Sequence, residues 1–123
     1  HALGVRNVFV VMGDVPVTGD YPEATSVADI SASGLVQLIT KFNNGVDNAN
    51  RSIDQPTSFL VGAAFNFSAP DLDRELNVME RKVKAGANFI LTQPVYDPNQ
   101  VESKWLLGYH NAVTHTLWRQ HVF

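Results

Sequence analysis

At 123 residues, 45% of them hydrophobic, the chain carries enough apolar side chain for one soluble domain or a piece of a larger one. Its net charge of −3 gives no electrostatic reason to expect nucleic acid or an anionic membrane as partner. There is no cysteine, no signal-like N-terminus and no apolar run near the roughly 20 residues that span a bilayer, so disulfides, thiolate catalysis and cysteine metal sites are excluded and a cytosolic enzyme fits.

The first seven residues, HALGVRN, read as the tail of a helix already under way, and without an initial methionine they suggest a fragment. Asn7–Met12 is a continuous apolar run rich in β-branched residues, the pattern of a strand buried on both faces. Gly13-Asp14 ends it, and residues 15–33, polar and proline-bearing, read as a long loop. Leu35, Leu38, Ile39 and Phe42 then recur at helical spacing, until the turn-forming NNGVDNANRSIDQP stops the helix near Asn43.

A second strand is predicted over Ser58–Phe65. Ser68 or Asp71 can cap the helix after it, whose apolar face is Leu72, Leu76, Met79 and Val83. Lys82 and Lys84 suit its last turn and Gly86 its C-terminal cap. Phe89–Leu91 forms the third strand. Asp97-Pro98-Asn99-Gln100 then resembles a capping box for a helix with Val101, Trp105, Gly108 and Ala112 on one face.

The order β-α-β-α-β-α argues for parallel strands with right-handed crossovers. Two architectures satisfy it: a doubly wound sheet, or part of a (β/α)₈ barrel. A whole barrel takes about 250 residues and eight such units. These units would be fewer than half of one.

Asp14, Asn66 and Gln93 each stand at or just past the carboxyl end of a predicted strand, the edge where both architectures bind ligands. Taken singly, Asp14 and Asn66 read as turn residues bonding their own backbone; together, the turn and ligand readings stand about even. Glutamine is a poorer turn former, so Gln93, just past the apolar run and Thr92, is the least easily dismissed as a turn residue. Other candidates carry less. His110, His115 and His121 do not share a helical face as a metal pair would, and no Ser/His/Asp order or phosphate-cradling GxxxxGK occurs. On its own, Arg81-Lys82 reads as a solvated helix face. The carboxylates of DLDRE suit a helix N-terminus, and Trp105 and Trp118 suit packing.

Taken together, HALGVRNVFVVMGD, GDYPEATSVADI, PTSFLVGAAFN and APDLDRELNVMERKVKAGANFILTQPVYD resemble the 5,10-methylenetetrahydrofolate reductase family, particularly the form fused to a homocysteine methyltransferase. These stretches lie within residues 1–103. Gly13-Asp14, Arg81-Lys82 with Gly86-Ala87, and Thr92-Gln93, in this order, make the resemblance specific.

The resemblance implies a flavin-binding (β/α)₈ barrel of which this chain is an internal fragment of about three units. It implies FAD as cofactor, NAD(P)H as co-substrate and methylenetetrahydrofolate as the substrate reduced to 5-methyltetrahydrofolate, feeding methionine synthesis. Asp14 matches the aspartate beside the flavin's pyrimidine edge, with a catalytic and folate-polarising role, and Gln93 matches the glutamine bonded to the pterin. Gly13, Asn66, Glu75, Arg81 and Lys82 fall at cofactor-binding positions. A fused methyltransferase domain upstream and a homo-oligomer in the complete protein are further implications.

Departures from the family pattern are local. Met12 replaces an arginine or threonine, Val78 stands where some relatives have a flavin-contacting asparagine, and residues 104–123 diverge. The glutamate expected to act as acid on the first strand is not in this chain. The isolated segment is therefore expected to be inactive, and a non-catalytic flavin- or folate-binding remnant is the alternative reading.

Overall fold

The apolar runs at Asn7–Val10 (β1), Leu60–Phe65 (β2) and Phe89–Thr92 (β3) pair in chain order as one parallel sheet. Val10 lies opposite Ala63 and Phe65 opposite Thr92. The computed structural model describes residues 1–13, 17, 19–25, 29–94 and 96. Asp14 and the helix expected after Asp97 lie outside the described residues.

Two helices fill the crossovers, Ala32–Asn43 (α1) and Leu72–Lys84 (α2). Each ends in the same device. Gly45 at φ +78° and Gly86 at φ +112° let the chain turn left-handed. The next amides then reach back, Val46 N to Lys41 O and Ala87 N to Lys82 O, both at 3.1 Å. A side chain at Gly86 would also strike Thr40.

Both helices cover the same face of the sheet, because they touch one another: the Thr40 hydroxyl of α1 donates to Ala85 O at the end of α2, 2.9 Å away. Beneath them Val10, Val61 and Ala63 of the strands meet Val36 and Ile39 of α1, with Ala87 beside them. A doubly wound sheet carries helices on both faces and reverses strand order at its switch point. Three sequential strands with both helices on one side are consistent with part of a (β/α)₈ barrel, although one βαβαβ half of a doubly wound sheet is built the same way. The opposite face bears Phe9, Leu60 and Leu91, all exposed, with Phe9 stacked near Phe89 at 6.5 Å between ring centroids. Gly62 lies under the Phe89 ring, where a Cβ would collide with it. This is the face a closed barrel turns inward.

Several boundaries and buried faces differ from expectation, β1 ending at Val10 and β2 starting at Leu60 among them. His1–Gly4 makes a single turn, closed by Gly4 N to His1 O at 3.0 Å, because Gly4 at φ +85° cannot continue a helix. α1 begins at Ala32, inside the stretch read as loop, because the Ser31 side chain accepts from Gly34 N at 3.1 Å and caps it. Of the expected face Leu35, Leu38, Ile39 and Phe42, Ile39 is buried and Leu35 packs against the core, while Val36, outside that face, is the other buried residue of the helix. In α2 the apolar face is only half-buried, and the buried residue is Lys82.

Asn43 closes the far end of the structure. Its amide nitrogen donates to Phe59 O at 2.8 Å, and its oxygen accepts from Thr57 Oγ1 at 2.7 Å and Phe59 N at 2.8 Å. One side chain thereby ties the end of α1 to the entry of β2.

Candidate functional site

Where the strands end, the chain opens into a cleft of about 650 Å³. Val10–Met12 and Ala64–Asn66 form its floor. Ser31–Ser33, the start of α1, make one wall, while Arg74, Glu75, Val78, Arg81 and Lys82 of α2 make the other. Gln93 enters from the end of β3.

Each side chain is placed by an identifiable local cause. The Gln93 amide N–H donates to Phe65 O at 3.0 Å, so its backbone extends the β2–β3 ladder by one residue. Strand alternation then puts its side chain on the face of Phe89 and Leu91, beyond the last apolar pair. Glu75 is held by the turn it faces, its Oε1 accepting from Asn66 N at 3.2 Å. Asn66 folds back on its own turn, Oδ1 accepting from Ser68 N at 2.9 Å, which is the turn-residue reading of that position.

Lys82 is the unusual member. It is 7% exposed, and its Nζ donates to Ala64 O, 2.7 Å away. A carbonyl dipole offsets only part of the cost of burying an ammonium. An ammonium carries two further N–H donors that an anion in the cleft can engage. Arg81, the preceding residue, is exposed.

The charges do not balance. Among the described residues lining the cleft, Arg74, Arg81 and Lys82 face Glu75 as the one acidic side chain. The opposite wall adds to the imbalance, since α1 has no acidic residue in its first turn. Its Ser31 cap satisfies the Gly34 amide, but the first amides of a helix have no intrahelical acceptor, and a helix N-terminus carries partial positive charge. Cations and a helix N-terminus facing the same space repel each other unless an anion lies between them. The donor set therefore fits a phosphate-bearing cofactor.

The family model described as methylenetetrahydrofolate reductase matches residues 1–115. The chain belongs to the methylenetetrahydrofolate reductase family. A comparison with curated proteins finds no match.

Of the positions that the methylenetetrahydrofolate reductase pattern marks, Asn66, Glu75, Arg81, Lys82 and Gln93 line the one cleft. Gly13 is exposed just beyond Met12, and Asp14 lies outside the described residues. Met12 and Val78, the two local departures from the expected pattern, also line the cleft and present apolar side chains to it. Sequence reasoning missed Arg74 and the Ser31–Ser33 wall. The signal for the wall was weak, because Gly34, a poor helix former, occupies the position where a capping box would carry Glu or Gln.

Proposed function

We propose that the complete protein reduces 5,10-methylenetetrahydrofolate to 5-methyltetrahydrofolate, using NAD(P)H and bound FAD, in a cytosolic setting. The observation that carries this reading is the meeting, in one cleft at the carboxyl ends of the strands, of the Gln93 amide with a wall on which, among the described residues, three cations face one acid.

Bound FAD would supply hydride transfer between the nicotinamide and the folate. Arg74, Arg81 and Lys82, with the first amides of α1, would hold the cofactor's phosphates. The buried position of Lys82 makes its charge count most, because little water screens it. Glu75 braces the turn after β2, and its carboxylate would accept from a ribose hydroxyl of the cofactor. The Gln93 amide offers a donor and an acceptor side by side, which matches a pterin edge. In the family's arrangement Asp14 stands beside the flavin, where a carboxylate disfavours added negative charge and so favours giving up hydride.

The test uses the complete protein. It should retain FAD and turn over a nicotinamide with methylenetetrahydrofolate; FAD retention without turnover would favour the non-catalytic remnant. Gln93→Ala should weaken folate binding by about 0.5–1.5 kcal/mol, the net worth of a hydrogen bond, while leaving FAD bound. An unaltered folate Kd would remove Gln93 from the site.

A further inference from the structure

We infer that Asn44 is a modification site: a deamidation centre that the folded end of α1 holds closed. Asn44-Gly45 is the one Asn-Gly pair in the sequence. Glycine offers the least hindered backbone nitrogen for attack on a preceding side-chain amide, and the Asn44 side chain is exposed. In the reaction, Gly45 N gives up its proton and bonds to Asn44 Cγ. The side-chain nitrogen leaves as ammonia, and a five-membered imide forms. Water then opens either C–N bond of the imide, giving aspartate or isoaspartate. Nothing is oxidised or reduced.

The fold obstructs every part of that first step. Asn44 is the C-terminal cap residue of α1 at φ −91°, ψ 6°. This torsion places Gly45 N beside Asn44 N, whereas ring closure requires it beside Asn44 Cβ. The attacking N–H is also engaged, donating to Phe42 O at 3.0 Å, and Val46 N secures the turn on Lys41 O. Asn43, one residue back, is clamped to Thr57 and Phe59. The equivalent turn of α2, at Ala85-Gly86, has the same geometry but no amide to react. Deamidation at Asn44 therefore requires local opening of the α1 terminus.

The product would not close again equally well. A carboxylate at a helix C-terminus opposes the helix dipole. Isoaspartate also adds a methylene to the main chain, which displaces Gly45 and Val46 from their acceptors. One opening event thus leaves a lasting weak point beside the Asn43 clamp.

The experiment incubates the complete protein at mildly alkaline pH in buffer and in rising urea, following the peptide around Asn44 by mass spectrometry. Conversion should be at least about tenfold faster in unfolding urea than in buffer, reflecting the population of the open turn. Isoaspartate-bearing protein should melt at a lower temperature. Asn43→Ala, which removes the clamp and leaves Asn44-Gly45 intact, should accelerate conversion in buffer. Equal rates with and without urea, no conversion in urea, or a folded Asn43→Ala protein with an unchanged rate would each overturn the inference. If Asn43→Ala does not fold, the urea series decides alone.

Discussion

The two helices begin in opposite electrical circumstances. α2 starts with Asp71, whose Oδ1 accepts from Arg74 N at 2.9 Å, and carries Asp73 and Glu75 in its first turn. Its positive end is neutralised by its own carboxylates. α1 starts with an uncharged serine, has no acid in its first turn, and faces Arg81 and Lys82 across the cleft. Since anions stabilise and cations destabilise a helix N-terminus, only the second arrangement leaves a free-energy deficit. A helix whose start is complete within the chain serves the fold; one left electropositive among cations marks where a ligand completes it.

The comparison is broken most severely at Lys82. Lys82→Met keeps the bulk of the stem but removes the ammonium. FAD affinity in the complete protein should fall by about 1.5–3 kcal/mol, the range for hydrogen bonds to charged groups. Stability should change little, because replacing a buried ion with an apolar group of similar volume is often neutral. Flavin fluorescence titration with thermal melting checks both; unchanged affinity would make Lys82 a purely structural pin on Ala64.

Asp71→Ala acts on the other helix. Losing the cap should cost about 1 kcal/mol of stability and leave FAD affinity alone. A denaturant melt gives the first quantity and flavin titration the second. A drop in FAD affinity alone would erase the distinction between the two helix starts.

The smallest effect sharpens the comparison most. Ser31→Asp should raise stability of the cofactor-free protein by roughly 0.3–1 kcal/mol, through an acid at a bare helix N-terminus. The same carboxylate should repel the cofactor's phosphates, so FAD affinity should fall while stability rises. If both moved in the same direction, the α1 start would not be part of the binding wall.

Much of this was legible in the residues, and the parts that were not share a cause. The strands announced themselves as continuous apolar runs such as VFV and FIL. The expected burial of β1 on both faces is not met: among the described residues only the helix-covered face is buried, and Phe9 is exposed. Asp71 and Gly86 were legible because caps obey local chemistry, which involves only neighbours in sequence. Lys82 was not: its burial depends on Ala64 O, contributed by β2, 18 residues earlier. The pair Arg81-Lys82 read as one solvated surface, yet the fold separates them into an exposed and a buried cation. The apolar stripe of α2 misled in the opposite sense, for periodicity shows which face seeks cover but not how much cover the described neighbours provide. Gln93 was legible for a third reason, since a long amide following a strand has no local explanation.

The Asn43 clamp has a practical consequence at the end of the molecule away from the cleft. It closes the base of the connection between α1 and β2, and an antiparallel bridge between Val46 and Ser52 narrows that connection again. With its ends already held together, doubling the loop's length costs only about 0.6 kcal/mol of closure entropy. Asn48, Ala49 and Asn50, exposed at its tip, are thus the place to graft an epitope, a fluorophore or a purification handle without disturbing the opposite rim.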